Sequence, residues 1–310
     1  MPEVRLSVAI VTRNRPESLE RTLRSLGAQG SQPYEVLVSD DSSAEHRQRT
    51  RDIALAHGAR YVSGPQRGLY ANRNASALAC TGSHIRTMDD DHEFPPGHIA
   101  ACLDAVRRAP AVVWIIGECL PGEEGGEEAW MCPPQLNARG SSVTPLPGRP
   151  IWAIADGAAI YPREIFDRGL RFSESFRFGA AYMEWGSRLH WLGYEIRHLD
   201  TTYVIHHLDP AARSFNDVRI TAGAHLFAAL CHSFVYQPTL RNRALTVAEL
   251  AATVRRRRAV GAYAVADALK AFRRRRRERS PPAGGPASAS SGGAPAGRAA
   301  PSGAPDPQTR

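Results

Sequence analysis

The feature that most constrains this chain is an alternation of strand-like and helix-like segments from Leu6 to Ile116. Leu6–Thr12 is apolar and β-branched, as a strand buried on both faces should be. Pro16 suits a first helical turn, and Leu19, Leu23 and Leu26 then recur at helical spacing until Gly27. Tyr34–Asp40 reads as a second strand, Ala59–Val62 as a third, His84–Met88 as a fourth and Ala111–Ile116 as a fifth. Gly68–Thr81 predicts a helix followed by Gly82, and Pro95–Ala109 another with Ile99, Leu103 and Val106 inward. Such alternation predicts an α/β chain with a doubly wound, mostly parallel sheet and helices on both faces. Ligands of such sheets sit beyond the carboxyl ends of the strands, where Asp40 and Asp89 fall.

Composition narrows the chemistry. Lys270 is the only lysine, so no G-x-x-x-x-G-K-[ST] phosphate loop and no earlier Schiff-base lysine exist. Phosphate must be met by arginine, backbone amides or metal. Five cysteines without a C-x-x-C pair predict a reduced cytoplasmic protein with neither structural zinc nor a disulfide framework. The longest apolar run, Ala111–Ile116, is too short to cross a bilayer, and no signal-peptide pattern precedes the first strand.

Residues 1–238 read as one domain, with Gly117–Pro150 a loop-rich stretch carrying Glu123, Glu124, Glu127 and Glu128. That stretch is either a mobile excursion near the site or an inert insertion. Residues 239–272 predict a helical extension interrupted at Arg255–Arg258. Residues 273–310 hold eight arginines and two acids among Pro, Ala, Gly and Ser, a composition expected to be disordered. The arginine runs are read as a solvated end, a peripheral contact with anionic membrane, or phosphate neutralisation on nucleic acid. No base-reading motif accompanies them, so specific nucleic-acid recognition is not expected.

Asp89-Asp90-Asp91 closes the fourth strand. Three adjacent carboxylates repel one another unless a cation compensates them, and Mg²⁺ or Mn²⁺ is commonly held by carboxylates together with substrate phosphates. Taken alone, the triplet reads first as a solvated acidic turn.

In context the chain resembles the family 2 glycosyltransferases of the Rossmann-like GT-A fold. Four segments carry the resemblance: Ser7–Pro16, Glu35–Ser43, Arg67–Ala75 with its Arg-Asn pair, and Met88–His92 with Pro95-Pro96, which resembles the D-x-D metal motif. The resemblance covers roughly residues 5 to 215 and implies a donor half at about 1–117 and an acceptor half at about 150–215. It implies a nucleoside diphosphate sugar donor, most commonly of UDP, a divalent metal, and a hydroxyl or amine acceptor. Thr12, Arg13 and Asp40 would then meet the nucleoside, although Asp40 also suits an Asx turn. Arg73 would lie near base or diphosphate, unless it is an exposed helix arginine. Asp89 and Asp91 would hold ribose and metal, with Asp90 turned elsewhere or reaching the sugar. Arg213 would close over the diphosphate. His206 and His207 stand where some GT-A enzymes add a histidine to the metal, and strand alternation points only one of them inward.

The acceptor side departs from the family pattern. Ala181-Tyr182 stand where an acidic pair is usual, leaving Glu184 as the expected base for an inverting displacement and Asp156 as the second candidate. Glu184 also suits an ion pair with Arg188 one turn on. Two other readings remain open: a nucleotidyltransferase, though the glycine- and lysine-rich loop of that class is missing, and a non-catalytic nucleotide- or glycan-binding relative. A soluble tailoring enzyme of natural-product or surface-glycan biosynthesis is the reading preferred.

Overall fold

The computed structural model describes residues 3–122, 135–137, 142–143, 154, 157–180, 182–208 and 217–278. The N-terminal half runs β1 (Leu6–Thr12), α1 (Pro16–Gly27), β2 (Glu35–Asp40), α2 (Ala44–Ala56), β3 (Arg60–Ser63), α3 (Leu69–Ala79), β4 (His84–Asp89), β5 (His92–Glu93), α4 (His98–Arg108) and β6 (Val113–Cys119). A small hairpin of β7 (Gln135–Leu136) and β8 (Ser142–Val143) follows. Then come β9 (Ala158–Pro162), α5 (Glu164–Asp167), α6 (Tyr182–Trp191), β10 (Ile196–His206), α7 (Val218–Cys231) and α8 (Leu240–Arg277). Between α7 and α8, His232–Tyr236 continues as a π-helical turn.

The main sheet has the order β3-β2-β1-β4-β9-β6-β10-β5. β1 to β4 pair in parallel, whereas β9 lies antiparallel between β4 and β6. Alternation along β1 explains the two layers: Ala9 faces one apolar cluster with Leu37 and Ile85, while Val8 and Ile10 face the other with Val38 and Met88. Each such fully buried side chain contributes roughly 1.5–3 kcal/mol by leaving water.

Three differences from the sequence reading have physical causes. Helix α2 is absent from that reading because it buries only Thr50 and Ala54 and carries charge on its other sides. Strand β10 ends at His206 but starts as early as Ile196, a reach hidden in the sequence because its pattern is broken by a bulge between Leu199 and Tyr203. Helix α8 runs five residues past Phe272 because Arg275 finds a buried partner, so the boundary at 273 lies too early. The expected break at Arg255–Arg258 is a kink at Arg258 (φ 50°, ψ −127°). Val218–Tyr236, with mean hydropathy 1.3, is apolar enough to span a membrane by composition, but it packs against α6 and α8 inside the protein.

Candidate active site

Beyond the C-terminal ends of β1 and β4 lies a cleft of about 1080 Å³. Asp89 ends β4, and the next turn leads into β5, whose two residues pair antiparallel with the end of β10. That short pairing sets His92 opposite His206. One ligand atom each from Asp91, His92 and His206 lies within 4.8 Å of the others, and the two rings meet edge to face at 4.9 Å. His92 is fully buried, yet neither ring nitrogen has a hydrogen-bond partner among the described residues, and Asp91 Oδ1 has none either. Buried polar atoms are almost always satisfied, so orphaned atoms converging on one point suit a bound cation. Gly157 backs the cluster: a Cβ there would stand 2.7 Å from His92 Cε1 and 3.4 Å from Asp89 Oδ2.

The electrostatics set the two histidines apart. Burial lowers the His92 pKa and keeps this imidazole neutral, as a metal ligand must be. Burial also opposes charge on His206, but Asp91 and Glu118 outweigh it and push His206 up to about 10. His206 Nδ1 lies 2.7 Å from Glu118 Oε2, and its Nε2 lies 3.5 Å from Asp91 Oδ2. Asp91 is held well below the usual carboxylate range: burial works against this, and His206, His92 and Arg15 prevail. A carboxylate on the far nitrogen of a histidine fixes its tautomer and orientation, the arrangement found behind metal-ligating histidines.

The three aspartates have three fates. Asp89 is partly open to the cleft and accepts from Arg73 Nη2 at 2.7 Å. Asp90 turns inward, where it accepts from the Thr12 hydroxyl at 2.5 Å and pairs with Arg15; burial still pushes its carboxyl up to about 7. Asp91 accepts from Arg15 Nη1 at 2.8 Å and joins the histidines. From α1 the Thr22 hydroxyl lies 2.8 Å from the Asp90 carbonyl and 2.6 Å from that of His92, pinning the turn.

Thr12 and Arg13 line the cleft. Asp40 does not. Its carboxylate is buried, accepting from Ser42 N at 2.8 Å and the Tyr61 hydroxyl at 2.9 Å, which is the Asx-turn alternative. Asp41 takes its place in the cleft, accepting from Gln66 N at 2.8 Å. Arg73 is neither exposed nor at the cleft: it is fully buried and serves Asp89. Its neighbour Asn74 exchanges two hydrogen bonds with the Phe172 backbone, so the Arg-Asn pair ties α3 to two other segments. Gly68 (φ +109°) is required because a Cβ there would meet the Arg177 backbone at 2.7 Å, on the cleft wall.

His207 turns to Glu93 (Nε2–Oε2 2.7 Å) and away from the cluster, which removes it from the metal set. Glu184 is fully buried at the centre of α6, α7 and α8, accepting from the Tyr236 hydroxyl and pairing with Arg188 (3.3 Å) and Arg275 (3.2 Å). Among the described residues it does not line the cleft, and the carboxylate expected as base instead ties three helices together. Asp156 and Arg213 lie outside the described residues, as do the glutamates of 123–128. Arg15, Asp41, Glu118 and Gly157 were missed by sequence reasoning. Only Asp41, beside Asp40, and Gly157, beside Asp156, stood next to a flagged position.

The chain matches the model of "Glycosyl transferase family 2" over residues 7–170, more than half its length. It belongs to the family 2 glycosyltransferases. Among curated relatives of this glycosyltransferase is the GalNAc(5)-diNAcBac-PP-undecaprenol beta-1,3-glucosyltransferase of Campylobacter jejuni, 29% identical over 129 residues, which are 39% of this chain and 40% of that protein. The chain thus spans well under half the length of the curated relatives it matches. Its fold is similar to GalNAc-T7 solved with UDP, GalNAc and Mn²⁺ (TM-score 0.62, 18% identity, 76% of this chain and 49% of that one). It is also similar to the mannosyltransferase PcManGT of Pyrobaculum calidifontis with GDP-Man and Mn²⁺ (TM-score 0.55, 17% identity, 90% and 77%). At these identities the likeness establishes the fold, GT-A.

Proposed function

We propose that this glycosyltransferase uses a divalent metal held by Asp91, His92 and His206, with Asp89 beside them, to move a sugar from a nucleoside diphosphate donor. The observation that carries this is the convergence of orphaned Asp91 and His92 atoms with His206 in the cleft. UDP is the donor base we favour, supported by the UDP in the GalNAc-T7 structure. Mn²⁺ suits the imidazole ligands better than Mg²⁺ does. When bound, the metal supplies charge neutralisation to the departing diphosphate.

The chain's own residues do the rest. Glu118 orients His206, and Thr12, Arg15 and Arg73 hold the aspartates apart in distinct orientations. Arg13 and Asp41, at the ends of β1 and β2, face the part of the cleft suited to the nucleoside. With Glu184 in the core, Asp156 is the base we propose for inverting displacement, since it precedes cleft-lining Gly157 in the chain. In that step the acceptor oxygen forms a bond to the anomeric carbon and gives its proton to the carboxylate. The bond from the anomeric carbon to the diphosphate breaks, and the nucleoside diphosphate leaves. The Campylobacter relative's lipid-linked glycan acceptor supports a role in surface-glycan biosynthesis. The cytoplasmic setting we propose rests on the five cysteines' wide spacing without a C-x-x-C pair.

A thermal-shift screen of UDP, GDP and dTDP with and without Mn²⁺ tests the donor assignment. A nucleotide present at about 100 times its Kd adds about 2.7 kcal/mol of stability. The expected result is a rise in Tm with UDP only when Mn²⁺ is present, lost in Asp91→Ala, which also loses about 10²–10³-fold in nucleotide release. No stabilisation by any of the three nucleotides overturns the reading.

A further inference from the structure

Helix α8 holds twelve of the chain's 39 basic residues and only two of its 31 acidic ones, so the surplus positive charge of the whole protein resides there. Its first half presents a second unusual feature. Leu240, Ala244, Val247, Ala251 and Val254 recur every three or four residues, and all are exposed, Leu240 by 84% and Val247 by 54%. This apolar stripe lies opposite the side that buries Thr246 and Thr253. It ends at the Arg258 kink, where Arg255 and Arg258 follow Ala251 and Val254 by one turn each. Arg255, Arg257 and Arg258 are exposed and form no ion pair among the described residues, whereas Arg256 pairs with Glu249.

We propose that the Leu240–Val260 arm of α8 docks this glycosyltransferase on an anionic bilayer surface. Arginines flanking an exposed aliphatic stripe match an interface with acidic head groups above and acyl chains below. A nucleic acid would use the arginines and leave the stripe in water. The arm is also well placed. A shallow hollow of about 570 Å³ beside the kink is lined by Val260, Tyr263 and Asp217, and Asp217 also lines the cleft. Docking there would bring the mouth of the cleft close to the head groups. The arginines at 273–277 are less suited, since Arg275 is committed to Glu184 and Arg274 to Glu278.

The test is co-sedimentation of the full chain with vesicles of about one-third phosphatidylglycerol in phosphatidylcholine, against phosphatidylcholine alone. We expect retention on the anionic vesicles only, weakening as salt shortens the reach of the charges. Neutralising Arg255, Arg257 and Arg258 together to Gln should cost about a hundredfold in affinity, at roughly fivefold per charge. Val247→Ser with Val254→Ser should weaken binding while the circular dichroism and melting curve stay unchanged. Equal retention on both vesicles, no retention, or insensitivity to the triple substitution overturns the proposal. So does sedimentation velocity showing self-association that Val247→Ser abolishes, which makes a second copy the occupant. Tighter binding to a short DNA duplex than to the vesicles also overturns it. Because the readout is vesicle binding, the result is independent of the donor and metal assignments.

Discussion

Two clusters in this molecule have nearly the same composition and opposite meaning. At the strand ends, Asp91, Glu118, His206 and Arg15 combine carboxylates with cations around fully buried His92. Between α6 and α8, Glu184 meets Arg188, Arg275 and the Tyr236 hydroxyl. The second, one carboxylate and two guanidiniums, also leaves Glu184 Oε2, Arg188 Nε and Arg275 Nε without hydrogen bonds among the described residues, but helices enclose it. The first opens on a cleft and leaves both His92 nitrogens and Asp91 Oδ1 without hydrogen bonds among the described residues. Both clusters leave polar atoms unsatisfied, so a charge cluster is chemical or structural according to whether those atoms face a cleft or the packed interior.

The sharpest way to break this comparison is Glu184→Gln. Removing one partner of a buried ion pair leaves the others uncompensated, and the expected loss is about 3–5 kcal/mol of stability. Chemical denaturation should show that loss, while nucleotide release per folded molecule stays within about twofold, as for any position away from the chemistry. A variant that folds normally but has lost turnover returns Glu184 to the catalytic machinery.

These expectations also show what the sequence could and could not reveal. The sheet was readable because β1 and the centre of β2 are buried apolar runs, whereas β4, with His84, Arg86 and Thr87, showed itself by its place in the alternation. Asp91 and His206 were readable because the family resemblance set them at metal positions; by residue type alone either suits an ordinary surface. Arg15 and Glu118 were not, since an arginine after a strand and a glutamate in a loop-bound strand look like ordinary surface. Glu118 reaches His206 through the β6–β10 pairing, and Arg15 reaches Asp90 and Asp91 across the turn after β4. The β5–β10 pairing that brings His92 to His206 is two residues long and without a periodic signature. Glu184 was misjudged for a related reason. Its partner Arg275 lies in a run of five arginines whose composition reads as solvated, and only the packing of α8 buries it.

A middle-sized effect tests whether Glu118 belongs to the open cluster. Glu118→Gln keeps the shape but removes the charge behind His206 Nδ1. Losing such a supporting carboxylate typically weakens metal affinity about 10–100-fold. Titration calorimetry with Mn²⁺ should show this, with the metal-free melting temperature changing far less than in Glu184→Gln. Unchanged Mn²⁺ affinity would make Glu118 a bystander.

The smallest effect reads the open cluster without metal. His206 is pushed up to about 10 from an ordinary 6.5 by Asp91 and Glu118, burial opposing. A histidine whose folded pKa is raised contributes stability that is full below 6.5 and disappears as pH climbs through about 10. Asp90, raised to about 7, titrates in a lower window, from about 3.8 to 7, so the two are separable. In EDTA the protein should therefore lose stability between pH 7 and 10, by about 1 kcal/mol after solvent screening of the partly exposed imidazole. His206→Gln should flatten that stretch of the curve. Glu184→Gln should leave it in place, because the closed cluster is held by arginines that stay charged throughout this range. A slope that survives His206→Gln would mean that the imidazolium is not bound between the two carboxylates, and that the open cluster needs a cation to bring it together.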